Sequence, residues 1–203
     1  MQARAYPTPM QTFAEALMPS STLTTDALLV AGASLVIALC AQFEIRLPFT
    51  PVPITATTLG VLYAGAVLGA RRGFAAAVLY LLEGACGLPF FAGGAGGGAW
   101  LVGPTGGYLL GFAPAAWVTG ALAEQGWDRR PLTAMGMMLA GSSVVFACGM
   151  IGLARFFPWP DVPVLGLFPF IPGDLVKSGL SAAFLPLGWK AMRALGFDRP
   201  GPL

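Results

Sequence analysis

Six long apolar runs dominate the chain, each separated from the next by a short stretch that is polar, basic, or rich in proline or glycine. The runs are continuous and do not alternate apolar with polar positions. They therefore predict helices, not the strands of a closed barrel. The predicted spans run from about Asp26 to Phe43, Ile54 to Gly69, Gly73 to Gly87, Tyr108 to Ala123, Leu132 to Leu153 and Pro172 to Leu195. A backbone in hydrocarbon must satisfy its own polar groups, and a helix does so within each segment. Residues 1–25 read as an N-terminal cytoplasmic or interfacial segment, 26–195 as one six-helix membrane domain, and 196–203 as a cytoplasmic tail. Within the lead, Phe13, Ala14, Leu17 and Met18 have the spacing of one amphipathic turn lying on a membrane surface. Pro114 in span four marks an expected kink.

Composition sharpens this picture. Hydrophobic residues make up 56% of the 203 and charged residues 10%, so too little chain is left to cover six apolar runs in water. The net charge is +2 and the basic residues are scattered, which excludes the basic stripe of a nucleic-acid binder. The chain has no His, hence neither the commonest general base nor the commonest metal ligand. Cys40, Cys86 and Cys148 are odd in number, lie inside apolar runs and form no C-x-x-C, so they read as small buried hydrophobes. The first 26 residues carry only Arg4 as a basic residue and lack the pattern of a cleavable signal.

Six spans sort the charges. Arg4, Arg71, Arg72, Arg129, Arg130, Lys190, Arg193 and Arg199 fall on one side, and Arg46 and Arg155 on the other. Basic residues favour the cytoplasm, so both termini are expected there, in a multi-pass arrangement. Each outer connection then carries a Pro-Phe pair: Pro48-Phe49, Pro89-Phe90 and Pro169-Phe170. Proline fixes φ and removes a donor, so these connections are expected to be rigid. Two readings stay open: a structured aromatic cap over a cavity, or aromatics anchoring the helix ends at the interface.

Four constellations are candidates for chemistry. Glu83 lies about one turn from the outer end of span three. Asp174 and Lys177 share one face at the outer part of span six. Ionisable groups inside a span usually mark a substrate path or an internal pair. The plainer account has Asp174 at a helix N-terminus with Lys177 reaching out to pair with it. The run Gly93 to Gly98, including Gly94 and Gly97, lets backbone approach a ligand closely or simply makes a flexible loop. It opens no helix after a strand and is not a phosphate cradle, and Val176 before Lys177-Ser178 spoils a P-loop there. The chain thus has no ATP-hydrolysing motif, and uphill transport would draw on an ion gradient or a partner. Ala27 and Ala31 in span one are spaced for close approach of another helix.

Four strings carry a resemblance: Leu47-Pro-Phe-Thr-Pro-Val-Pro-Ile-Thr55, Gly87-Leu-Pro-Phe-Phe-Ala-Gly-Gly94, Gly103-Pro-Thr-Gly-Gly-Tyr-Leu-Leu-Gly-Phe112 and Pro169-Phe-Ile-Pro-Gly-Asp-Leu-Val-Lys177. In this order and spacing they resemble the BioY family, the substrate-binding S components of biotin transporters of the energy-coupling factor (ECF) class, over roughly residues 25 to 195. The resemblance implies an all-α, six-helix S-component bundle in the bacterial inner membrane. It would bind biotin near the outer face and need no cofactor. It also implies partners: a transmembrane coupling subunit and cytoplasmic ATPases. Asp174 and Lys177 match the family's substrate-binding Asp and Lys, and the glycine run and the loop from Pro48 to Pro53 match segments bordering the pocket. A biotin site is then expected to draw on Asp174, Lys177, Tyr108, Gly94, Gly97, Phe49, Phe90, Phe91, Trp100 and Glu83, with Ala27 and Ala31 facing the coupling subunit. Three rivals remain: an S component for another small vitamin, a membrane transferase using Glu83 and Asp174 as acids, and a self-sufficient transporter relaying protons through Glu83.

Overall fold

The computed structural model describes residues 11–18 and 22–197. Arg4 and Arg199, two of the basic residues that set the expected orientation, lie outside them, as do residues 1–10 and 19–21 of the N-terminal lead and 198–203 of the tail. The described helices are α1 Phe13–Leu17, α2 Leu23–Ala41, α3 Thr57–Leu68, α4 Ala70–Ala85, α5 Ala99–Val102, α6 Gly106–Ala123, α7 Pro131–Leu153, α8 Val162–Gly166 and α9 Ile171–Ala194. Every predicted span holds one of the six long helices. Two of these, α2 and α7, are individually long and apolar enough to cross a membrane, and α3 is a shorter apolar helix.

Local chemistry sets the ends. Thr22 caps α2 by accepting from the Thr25 N–H, and Asp26 sits in the first turn where the helix dipole favours an anion. Proline opens α7 and α9, where its missing N–H costs nothing. α6 packs along α7, α3 and α4, and α9 closes against α7. Ile37, Val61, Tyr80, Phe91, Met137, Met138 and Leu153 fill the centre. Leu28, Leu39, Ile151, Val176 and Phe184 stand exposed on the outer surfaces of their helices, where a soluble protein would place polar groups.

The structure revises several boundaries. The second and third spans were expected to be separated by a connection ending in Arg71-Arg72. Instead Gly69 alone joins α3 to α4, at φ 85°, a backbone conformation that favours glycine. The Glu124 side chain accepts from the Ala70 N–H at 2.8 Å and caps the new helix. Arg71 and Arg72 are therefore helical, and Arg72 pairs with Asp26 of α2 at 2.8 Å. The proline-rich connection after α2 is not irregular throughout: Glu44–Ile45 (β1) and Ile54–Thr55 (β2) pair antiparallel, Glu44 opposite Thr55. The glycine-rich stretch is also folded, through a Phe91–Ala95 bridge, a 3-10 turn at Ala92–Gly94 and α5. Finally, α1 forms over Phe13–Leu17 and leaves Leu17 and Met18 exposed. It packs its Ala14 and Ala16 inward at the end of the bundle where α9 finishes.

Candidate functional site

The site is at the opposite end, where α2, α4 and α7 finish and α3, α6 and α9 begin. Here the connections around Thr50 to Thr55, Phe91 to Thr105 and Arg155 to Phe170 come together. A cleft of about 480 Å³, its open mouth included, is lined by Val52, Thr55, Tyr108, Phe112, Phe170 and the Asp174–Lys177 pair, among others. A second cleft, about 440 Å³, shares Val52, Pro53, Thr55, Tyr108 and Phe112 with the first and continues to Phe91 and Trp100. Sizes and linings of this kind suit a small organic ligand.

α9 supplies both charges because they stand one turn apart on its inward face. They do not bond to each other. Asp174 Oδ1 accepts from the Ser142 hydroxyl of α7 at 2.7 Å, and both residues are buried. Lys177 Nζ donates to the Thr55 carbonyl at 2.6 Å, holding the end of the hairpin against α9. An ammonium has three donors, so two remain for other acceptors. The simple Asp174–Lys177 pair that span-six spacing allowed is thus not what forms.

Tyr108 is a strut. Its hydroxyl donates to the Gly166 carbonyl at 2.7 Å, tying α6 to α8. A side chain at Gly149 would collide with its ring, so glycine in α7 makes the slot that Tyr108 occupies. Thr50 adds a second tie, donating to Leu165 at 2.6 Å. Phe170 stands between Tyr108 and Phe146, with ring centroids 6.5 and 6.3 Å away. Phe91 is buried edge-on against Tyr80, centroids 5.7 Å apart.

Of the residues expected at the site, the structure thus brings together Asp174, Lys177, Tyr108, Phe91 and Trp100 around the two clefts. Phe49, Phe90, Gly94, Gly97 and Glu83 do not line them. Phe49 is exposed and Phe90 packs on the core. Gly94 and Gly97 have φ of 73° and 104°, so they shape the loop by backbone conformation. Glu83 stands near the end of α4 with Oε2 buried and without a hydrogen-bond partner among the described residues. Sequence reasoning missed Ser142, Phe112, Phe146 and Gln42, whose amide donates to Ala38 and toward the Pro89 carbonyl. Phe112 had a signal, since it follows Tyr108 by four on one helix. Ser142 had only its polarity in an apolar run, and the Phe146–Phe170 contact and the Gln42 bond toward Pro89 join residues far apart in the chain.

Comparison with known proteins agrees with this architecture. The BioY family profile matches residues 10–194. "Biotin transporter BioY" of Rhizobium etli is 40% identical over 168 residues, covering 78% of this chain and 90% of the relative. The protein of the same name from Rhodobacter capsulatus is 41% identical, covering 70% and 84%. A crystal structure of the S-component for biotin from an ECF-type ABC transporter superposes with a TM-score of 0.71 at 26% identity, covering 84% of this chain and 95% of that one. The all-α bundle, the four motif strings in their order, and the family match together establish that this membrane protein belongs to the BioY family.

Proposed function

We propose that the protein binds biotin in the cleft between α3, α6, α7 and α9 and is the substrate-specific subunit of an ECF-type importer, without enzymatic activity of its own. The carrying observation is that Asp174 and Lys177 both line one aromatic cleft while keeping hydrogen-bonding capacity in hand. Biotin presents a ureido ring with two N–H donors and a carbonyl, an apolar thioether ring and a carboxylate. Asp174 accepts from the ureido N–H groups, Lys177 donates to an oxygen, and Tyr108, Phe112 and Phe170 enclose the apolar part. The relatives' names and the matched S-component support this reading. The protein sits in the bacterial inner membrane with six spans and both termini in the cytoplasm, so the cleft opens outward. Titration calorimetry of the purified chain with biotin tests the reading. Tight one-to-one binding is expected; no heat, or only millimolar affinity, from folded protein would overturn it.

Energy comes from partners, a coupling subunit in the membrane and cytoplasmic ATPases. The coupling subunit meets α2, where Ala27 is exposed, Ala31 is half-buried and Gly32 has open space beside it. Replacing Ala27 and Ala31 with Trp should abolish pull-down of the coupling subunit and leave biotin binding intact, because close helix approach is lost at the end away from the cleft. Normal pull-down would exclude this face. One observation favours a second reading, proton-driven uptake through Glu83: its Oε2 is buried without a partner among the described residues. That reading expects uptake without ATPases that collapses with the proton gradient.

A further inference from the structure

We infer that Ser142 is a positioning residue for ligand recognition: its hydroxyl fixes the Asp174 carboxylate so that the second oxygen is presented to the ligand. The inference rests on the biotin reading above. Hydroxyls inside these helices usually return to their own backbone. Ser34 donates to Ala31, Thr119 to Ala115, Ser143 to Leu139 and Ser181 to Lys177. Such a bond is available to any Ser or Thr in a helix and satisfies the hydroxyl locally. Ser142 departs from it. Its hydroxyl reaches across from α7 to Asp174 Oδ1 on α9 at 2.7 Å, and it is 1% exposed.

The consequence follows from the carboxylate. An ionised Asp accepts only, and its two oxygens rotate together. One strong bond to Oδ1 therefore orients both, and among the described residues Ser142 at Oδ1 is the hydrogen-bond partner of this carboxylate, leaving Oδ2 to the ligand. Asp174 lines the cleft, and Ser142 does not, so Ser142 acts on the ligand only through Asp174. A carboxylate held in place before the ligand arrives loses less rotational freedom on binding, which raises affinity without a new contact. The hydroxyl donates to a charged acceptor inside a low-dielectric bundle, where such bonds are strongest.

The test is a double-mutant cycle on the full chain in detergent, read by biotin titration alongside thermal unfolding. Ser142→Ala is expected to weaken biotin about threefold to tenfold. Ser142→Cys keeps the size but donates weakly, and is expected to weaken binding in the same way. In an Asp174→Ala background Ser142→Ala should add little, because the group it positions is gone. Parental affinity in Ser142→Ala with weak binding by Asp174→Asn would overturn the inference and leave the biotin reading standing. Full additivity of the two changes, or parental affinity in Ser142→Cys, would show that Ser142 acts by shape alone. Absence of biotin binding by the parent chain would overturn both readings together.

Discussion

The two ends of the bundle use the same materials to opposite effect. At the end where α9 finishes, the Trp189 indole N–H donates to Asp128 Oδ2 at 2.5 Å. The Arg129 guanidinium lies 3.8 Å from the Trp189 ring centroid, and Phe13 of α1 stacks on that ring at 4.2 Å. Arg129 also donates to the Gln11 carbonyl at 3.1 Å. Carboxylate, cation and aromatics are thus locked together, with Asp128 and Trp189 almost wholly buried. At the other end Asp174, Lys177 and the ring of Tyr108, Phe146 and Phe170 leave a cleft between them. Lys177 and Asp174 are tied to backbone and to Ser142, not to each other. A charge near the end of a membrane helix is therefore not a site in itself. What separates the ends is whether the polar groups keep donors and acceptors free beside open space.

The largest effect that would break this contrast is expected at the closed end. Trp189→Ala removes a large buried ring, the partner of Asp128 and the platform for Arg129 and Phe13. It should cost about 3–5 kcal/mol of stability, read as a large drop in the thermal unfolding midpoint. Biotin affinity of the fraction that stays folded should be unchanged, because the clefts lie at the far end. A tenfold loss of affinity in folded Trp189→Ala protein would mean that the two ends are coupled.

Next in size is the open end. Asp174→Asn and Lys177→Met are each expected to weaken biotin about tenfold to a hundredfold, from the ~1.5–3 kcal/mol of a hydrogen bond to a charged group. Arg155→Ala, outside the cleft lining, is the matched control and should bind like the parent. Stability should fall less than in Trp189→Ala, because each change removes one bond, that of Asp174 to Ser142 or of Lys177 to Thr55, and no large buried ring. Parental affinity in both variants would make the pair structural and erase the contrast.

Much of this division was legible in the sequence, and what was not has a physical cause. The six helices followed from continuous apolar runs, and Asp174 and Lys177 from charges standing inside one. The closed end was invisible because Asp128 lies outside every span, in a polar turn, and its bond to Trp189 joins residues 61 apart. Phe13 read as a surface-lying turn because periodicity shows an apolar face but not what covers it. Arg71-Arg72 read as the end of span two because two arginines interrupt hydropathy. The helix α4 nonetheless starts beneath them, since Gly69 turns in one residue and Arg72 finds Asp26. At the open end, the glycine run suggested close approach to a ligand. The positive φ of Gly94 and Gly97 shows that those glycines shape the loop, a use that spacing cannot tell from close approach to a ligand.

The smallest expected effect is the most discriminating, because Tyr108 belongs to both descriptions. It lines both clefts as a binding residue would, yet its hydroxyl is already committed to the Gly166 carbonyl at 2.7 Å, as in a closed network. Tyr108→Phe keeps the ring in the slot made by Gly149 and removes only that bond. A neutral hydrogen bond contributes about 0.5–1.5 kcal/mol, so a modest fall in the unfolding midpoint is expected. Biotin affinity should change no more than about threefold, since the hydroxyl is already engaged with the Gly166 carbonyl and the ring that lines the clefts is kept. Titration and thermal unfolding of the same preparation separate the outcomes. If Tyr108→Phe loses as much affinity as Asp174→Asn while unfolding as the parent does, the hydroxyl must leave Gly166 and bond the ligand. The tie between α6 and α8 would then be a contact of the ligand-free state that biotin replaces.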